Sequence, residues 1–269
     1  MKKYLLAEMR PKEAEEAFKK TDIALIPTGT IHPHGAGVPL GLDAIMAEEL
    51  ADRIGKKTDV IVLPTIYYGY GVWHGDFPGA INISPSTKRD MLLEICEWLH
   101  RWGIKKILWM NCHGGDEPMV KEVAYYIRNK WNMLSAMPSW SDIAIKLVPE
   151  CAKYFRPYGE GLTEDMSRML YLRPNLVNVS EETYKEHKQL LGDKIRAMGL
   201  MHSEFKGVNV RIFLRTKDLT DTSGFGPSIA EVDYVAEASA ELGERMVTAV
   251  VDFLVEFIEE FRKVRIPPL

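Results

Sequence analysis

The chain has 269 residues, 46% apolar and 27% charged, with 34 basic against 38 acidic side chains and a formal net charge of −4. That composition excludes a disordered or fibrous chain, and its mild acidic excess leaves no electrostatic footprint for nucleic acid or an anionic membrane surface. Three widely spaced cysteines, Cys96, Cys112 and Cys151, argue against a disulfide framework and for a reducing, cytoplasmic setting. The apolar stretch Tyr4 to Ala7 is too short for a signal-peptide core, and no apolar run approaches the roughly 20 residues of a membrane span.

Along the chain, short runs rich in Ile, Val and Leu read as buried strands at Ile23 to Pro27, Val60 to Leu63, Lys106 to Met110, Met133 to Met137 and Val208 to Leu214. Between them, Asp43 to Ile54, Ser86 to Trp102, Pro118 to Trp131 and Glu181 to Met198 space their apolar residues by three and four and read as helices. A last helix runs from about Ile229 to Val264, where Arg-Ile-Pro-Pro stops it. Strands buried on both faces and separated by helices predict an α/β fold with a mainly parallel central sheet flanked by helices on each side. With no internal repeat, low-complexity tract or Pro/Gly/Ser linker, residues 1–269 are expected to form a single domain.

Functional residues in such sheets collect in the loops at the carboxyl ends of the strands, and Gly-rich segments occupy those places here. The first, Gly29-Thr-Ile-His32-Pro-His34-Gly35, delivers two imidazoles to one strand end, and Asp43 follows at the start of a helix. The second, Tyr67 to Gly79, carries His74. After the third strand, Asn111-Cys-His113-Gly-Gly-Asp116 brings another imidazole to the same edge, where paired glycines allow close approach. Glu160-Gly-Leu-Thr-Glu164-Asp165 adds carboxylates, and Ser223 to Pro227 precedes the last helix. Three histidines with Asp and Glu suit one or two borderline divalent cations such as zinc or manganese. Each residue also has a plainer reading. His32 and His34 flank a proline turn, Asp116 is placed to cap a helix, and Glu164 is placed as a first-turn carboxylate favoured by the helix dipole. His100 and His187 sit in helical, charged surroundings and read as structural or surface residues. The joint occurrence at successive strand ends is what singles out the metal reading.

The order of these motifs resembles the creatininase (creatinine amidohydrolase) superfamily. Its pattern of Gly-x-Glu-x-His-Gly, Leu-Gly-x-Asp, Asn-x-His-Gly-Gly-Asn, Glu-Thr-Ser and a late Gly-x-x-Gly turn stands here as Gly29 to Gly35, Leu40 to Asp43, Asn111 to Asp116, Glu164-Asp165-Met166 and Gly224-Phe-Gly226. Trp73-His74-Gly-Asp-Phe77-Pro78-Gly79 resembles the family's His-x-x-Phe-Pro-Gly-Thr segment, with Ala80 in place of Thr. The resemblance runs from about residue 20 to 260. It implies a three-layer α/β sandwich and a pair of divalent ions bridged by Asp43, one held also by His32 and His113 and the other by His34 and Glu164. Most relatives have Glu where this chain has His32, and the exchange removes one negative charge from the centre.

The reaction implied is metal-assisted hydrolysis of a small-molecule carbonyl compound, with His74, Glu160 and Asp116, in that order, as candidates for general acid or substrate contact. Family substrates are creatinine, formylaminopyrimidines and the cyclic diketone 3-dehydro-scyllo-inosose of inositol catabolism. Amidase-type members carry a His five residues before Glu-Thr-Ser, where this chain has Gly159. That loss and the more cationic centre favour the diketone, while a cyclic amide, a formamide and a non-catalytic metal-binding role stay open. Trp73, Phe77, Trp109 and Trp140 are candidates to line its pocket, and a homo-oligomer, a hexamer built from dimers, is the assembly the resemblance implies. A Cys112–His113 dyad is disfavoured because strand neighbours point to opposite faces, and no Gly-x-Gly-x-x-Gly follows the first strand to mark a nucleotide fold.

Overall fold

The computed structural model describes residues 3–155, 161–181, 191, 194–219 and 235–269. Helix α1 (Pro11–Lys20) leads into strand β1 (Ile23–Thr28), helix α2 (Leu42–Lys57), strand β2 (Ile61–Val62), helix α3 (Pro85–Arg101) and strand β3 (Lys106–Asn111). Helix α4 (Glu117–Trp131), strand β4 (Leu134–Ala136), helix α5 (Trp140–Leu147) and helix α6 (Leu162–Leu172) follow. Strands β5 (Ile195–Gly199), β6 (His202–Phe205) and β7 (Val208–Val210), helix α7 (Thr216–Leu219) and the long helix α8 (Ala240–Lys263) complete the described chain.

The central sheet has the order β2-β1-β3-β4, and every pairing in it is parallel. All six residues of β1 are buried, as its near-continuous apolar run requires of a strand covered on both faces. The period of two then divides the core. Ile23 and Leu25 of β1 and Leu108 and Met110 of β3 join α2, α5, α6 and α8 on one face. Ala24, Ile26, Ile107 and Trp109 join α3 and α4 on the other, with Phe18 of α1 packed against them. Helices, sheet and helices therefore form three layers.

Local chemistry sets the helix ends. Ser84 caps α3 by accepting from Thr87 N, with Pro85 in the first turn, and Ser239 caps α8 through Leu242 N. Asn132 ends α4 in the left-handed region. Along α8, Leu242, Met246, Val250, Leu254 and Ile258 form the buried stripe that closes the α2, α5 and α6 layer.

Two expectations are corrected. Residues 195–198, read from spacing as the end of a helix, lie in β5, which pairs antiparallel with β6. The run at 208–214 forms only the short strand β7, whose three residues are all exposed at the edge of this separate three-stranded sheet. Alternation of Val208 and Val210 with Asn209 and Arg211 suits a solvated antiparallel edge, not a buried parallel strand. Helices α1, α5 and α6 come from segments not read as helices. The last helix begins at Ala240, and the part of it expected at 229–234 lies outside the described residues, as does the Gly224-Phe-Gly226 turn.

Gly243 is where α8 crosses α6: a Cβ there would lie 2.0 Å from the Ser167 carbonyl oxygen. Gly243→Ala is expected to destabilise the protein by roughly 1–3 kcal/mol, because the helices must separate to admit a methyl group. Urea unfolding measures it, and an unchanged midpoint would show that the α6–α8 contact yields at no cost.

Candidate metal centre

In the parallel register Thr28, the last residue of β1, lies beside Asn111, the last residue of β3. The loops that leave these two strands therefore start as neighbours at one sheet edge. The β1 loop folds back on itself through His32 N donating to Leu40 O at 3.0 Å, and α2 starts directly after it, so Asp43 stands in the first turn beneath the loop's histidines. A bridge between Ile31 and Ile81 and another between Gly69 and Asn82 tie in the segment that follows β2.

Asp43 is the focus. Its Oδ1 lies 2.9 Å from His34 Nε2, and its Oδ2 lies 3.3 Å from His32 Nε2 and 2.9 Å from His113 Nδ1. Ligand atoms of His32, Asp43 and His113 all fall within 4.8 Å of one another, and all three residues are buried. His34 and His74 stack on the two neighbouring sides, each with its ring centroid 4.1 Å from that of His32. Trp73 stacks on His113 at 6.2 Å.

Hydrogen bonding on the far side of each ring fixes its tautomer. His32 Nδ1 faces Pro33 O at 3.1 Å, His34 Nδ1 faces His32 O at 3.1 Å, and His113 Nε2 faces Tyr70 O at 2.8 Å. A carbonyl only accepts, so those three nitrogens carry protons, and the other nitrogen of each ring points at Asp43. Burial, then the charge of His34, pushes His32 down to about 4, so at neutral pH its Nε2 presents a lone pair to a carboxylate lone pair. Burial works against the Asp43 carboxylate, but His34, His113 and His32 outweigh it and hold the group well below the usual range. Burial likewise disfavours charged His113, but the hydrogen bond and charge of Asp43 raise its pKa. Three imidazole nitrogens and an ionised carboxylate, converging with one lone pair opposed to another, are a donor set that fits a borderline divalent cation.

The remaining sequence candidates divide. Buried His74 joins the cluster, its Nδ1 2.8 Å from the Thr216 hydroxyl of α7, and burial followed by the charges of His32, His34 and His113 lowers its pKa to about 2. Glu164 is fully buried in the first turn of α6, where its carboxylate accepts from Gly161 N, and it is not part of the His32–Asp43–His113 group. Asp116 begins α4 but makes no side-chain cap; its carboxylate instead pairs with Lys88 Nζ at 2.7 Å, both side chains fully buried. Glu160 and Gly159 lie outside the described residues. Of the four aromatic candidates Trp73 flanks the centre and Trp140, beneath the Arg168 guanidinium, lines the cleft beside His113, whereas Trp109 is core on the α3–α4 face and Phe77 is buried in the loop that carries His74. Cys112 packs in the opposite core while His113 is engaged by Asp43 and Tyr70, as the alternation of a strand end dictates.

Three contributors escape a motif reading: the Tyr70 carbonyl, Thr216 and Lys88. Lys88 leaves a trace in the sequence, because it continues the buried stripe Leu92, Cys96 and Leu99 of α3, a position where a lysine needs a buried partner.

The creatininase (creatinine amidohydrolase) family model matches residues 7–258. The chain belongs to the creatininase family. A 3-dehydro-scyllo-inosose hydrolase of Thermotoga maritima is 29% identical over 109 residues, covering 40% of this chain and 35% of that protein. Creatinine amidohydrolase of Pseudomonas putida is 24% identical over 127 residues, 45% of this chain and 49% of the relative, so these matches span half or less of either curated protein. A 2-amino-5-formylamino-6-ribosylaminopyrimidin-4(3H)-one 5'-monophosphate deformylase of Methanococcus maripaludis is 26% identical over 212 residues, 77% and 82% of the two chains. A creatininase crystal structure superposes with a TM-score of 0.78 at 19% identity, over 98% of this chain and all of the other, which establishes the three-layer fold. Other creatininase structures of the same fold are described as Zn-Zn type and Mn forms.

Zinc or manganese is expected to bind with release of at least one proton, because the imidazolium of His113 must give up its Nδ1 proton to act as a ligand. Since that pKa is raised, affinity should climb about tenfold per pH unit below it and level off above it. Calorimetry in two buffers of different ionisation enthalpy measures both, and Asp43→Asn should abolish the binding. Affinity that ignores pH, with no proton released, would contradict the assignment of His113 as a ligand.

Proposed function

We propose that this creatininase-family chain is a divalent-metal-dependent hydrolase that opens a small cyclic carbonyl compound, foremost a cyclic diketone of the 3-dehydro-scyllo-inosose type. The observation that carries the proposal is the set of three imidazoles whose outer N–H groups are each tied to a backbone carbonyl while their inner nitrogens converge on Asp43. His32, His34, Asp43 and His113 would hold the metal, with Glu164 the further carboxylate of a second site. When bound, the ion supplies Lewis acidity toward a carbonyl and water that is acidic at neutral pH.

The chain's own residues do the rest. A cleft of about 330 Å³ opens beside His113, lined by Asn111, Glu117, Ser139, Trp140 and Asp142, and its size and polar lining suit a small hydroxylated ring. His74 is held neutral by burial and by its histidine neighbours, so it would act as a hydrogen-bonding contact to substrate and not as a proton-donating acid, with its ring angle set by Thr216. His32 in place of the family's usual Glu leaves the centre one negative charge poorer, which favours a leaving enolate over a neutral amine. The similarity to the 3-dehydro-scyllo-inosose hydrolase supports this choice. Hydrolysis of a formamide or cyclic amide is the second reading, favoured by the long match to the deformylase.

The test is turnover of purified, zinc- or manganese-loaded protein on cyclic diketones, formamides and cyclic amides, with and without a chelator. Diketone opening that is lost on chelation and restored by metal is the expected result. Turnover indifferent to chelation, or none in any class with metal loaded, would overturn the proposal. His32→Glu is expected to shift preference toward amides, and an unchanged ratio of kcat/KM between the two classes would remove the charge argument.

A further inference from the structure

Behind the metal centre lies a second polar cluster that supplies none of its ligands. Lys88 Nζ, fully buried, donates to Thr28 Oγ1 at 2.6 Å, to Tyr68 O at 2.9 Å and lies 2.7 Å from Asp116 Oδ2, so all three ammonium protons have acceptors. Asp116 Oδ1 accepts from Tyr70 N at 2.9 Å, and its Oδ2 is 3.4 Å from the Thr28 hydroxyl. The carbonyl of that same Tyr70 accepts from His113 Nε2. Tyr70 is thus held at its amide by Asp116, while its carbonyl, in the following peptide group whose Gly71 N donates to Asn82 Oδ1 at 2.9 Å, faces the metal-facing histidine.

Packing shows how closely this arrangement is held. A Cβ on Gly115 would lie 2.1 Å from Tyr70 O and 2.5 Å from His113 Nε2, so the carbonyl reaches the imidazole only because residue 115 has no side chain.

We propose that Asp116 and Lys88 are positioning residues: Asp116 anchors residue Tyr70 by its amide so that the carbonyl of the same residue is placed to fix His113 in the tautomer with Nδ1 directed at Asp43, and Lys88 supplies the counter-charge that keeps Asp116 in place. This replaces the role of Asp116 as a candidate acid, since its carboxylate is turned away from the centre into the ion pair. It rests on the reading of His113 as a metal ligand only for its effect on metal affinity; the effect on tautomer stands without it. The physical basis is that an acceptor beyond a ligating histidine sets which ring nitrogen is bare, and loss of such a partner typically weakens metal binding about 10–100-fold.

Two charge-balanced double variants separate the anchor from the ion pair. Lys88→Met/Asp116→Asn removes both charges and keeps an acceptor for Tyr70 N. Lys88→Met/Asp116→Leu removes both charges and the acceptor. The readouts are zinc affinity by competition titration and the His113 tautomer from long-range proton–nitrogen spectra of the metal-free protein, recorded at a pH where the ring is neutral. The asparagine variant is expected to keep the Nε2–H tautomer and bind zinc within about threefold of wild type. The leucine variant is expected to show a mixed tautomer and zinc binding weaker by about 10–100-fold. If both variants match wild type, or both lose the tautomer equally, the anchor role is overturned. If wild-type protein binds no zinc, the metal reading fails while the tautomer comparison still decides this one. Should the leucine variant not fold, Lys88→Met/Asp116→Val takes its place in the same comparison.

Discussion

A single buried carboxylate surrounded by imidazoles is the constraint on which the rest of this protein turns. Asp43 is 3% exposed, and a carboxylate so placed stays ionised only where positive charge or strong donors compensate the lost hydration. Here the compensation comes from His34, His113 and His32, aided by the amino end of α2, in whose first turn Asp43 stands. None of those histidines is adjacent to Asp43 in the chain. The parallel register of β1 with β3 and the folding back of the β1 loop onto α2 are what bring them to one point.

The scaffold solves a recurrent problem of metal centres, which is to hold several lone pairs in opposition before an ion relieves them. It does so with backbone. Carbonyls of Pro33, His32 and Tyr70 each occupy the far nitrogen of one imidazole, so ring orientation does not depend on long side chains free to relax. The amide of that same Tyr70 is in turn held by a buried ion pair rooted in α3 and at the start of α4, on the face of the sheet opposite α2. Both helical layers thereby contribute to one site. A buried pair of this kind adds little net stability, and its use here is to fix geometry.

Some features were legible before any fold was known. Buried parallel strands announced themselves as apolar runs at β1 and β3, and the helices α2, α3 and α4 as three- and four-residue spacing. The strand-end motifs nominated His32, His34, Asp43 and His113, which the fold gathers. What failed to read was decided by the partner or solvent each segment meets. β5 ends a stretch whose apolar spacing suits a helix but pairs antiparallel with β6, and the β7 run was too polar at alternate positions to be the buried strand its apolar residues suggested. Asp116, which has the sequence signature of a helix cap, is drawn away by Lys88 from 28 positions upstream, a competition between local and distant partners that local pattern cannot resolve.

The sequence by itself determined the class of fold, the family and the residue types available at the sheet edge, because hydrophobic period and strand-end motifs are local properties of the chain. Only the tertiary structure decided which nitrogen of each histidine faces Asp43, that Asp116 is half of a buried ion pair, that Glu164 turns back to its own helix start, and that His74 is neutral beneath its neighbours. Those outcomes depend on burial and on hydrogen-bond partners tens of residues away, and a donor's charge state is set by what surrounds it in space.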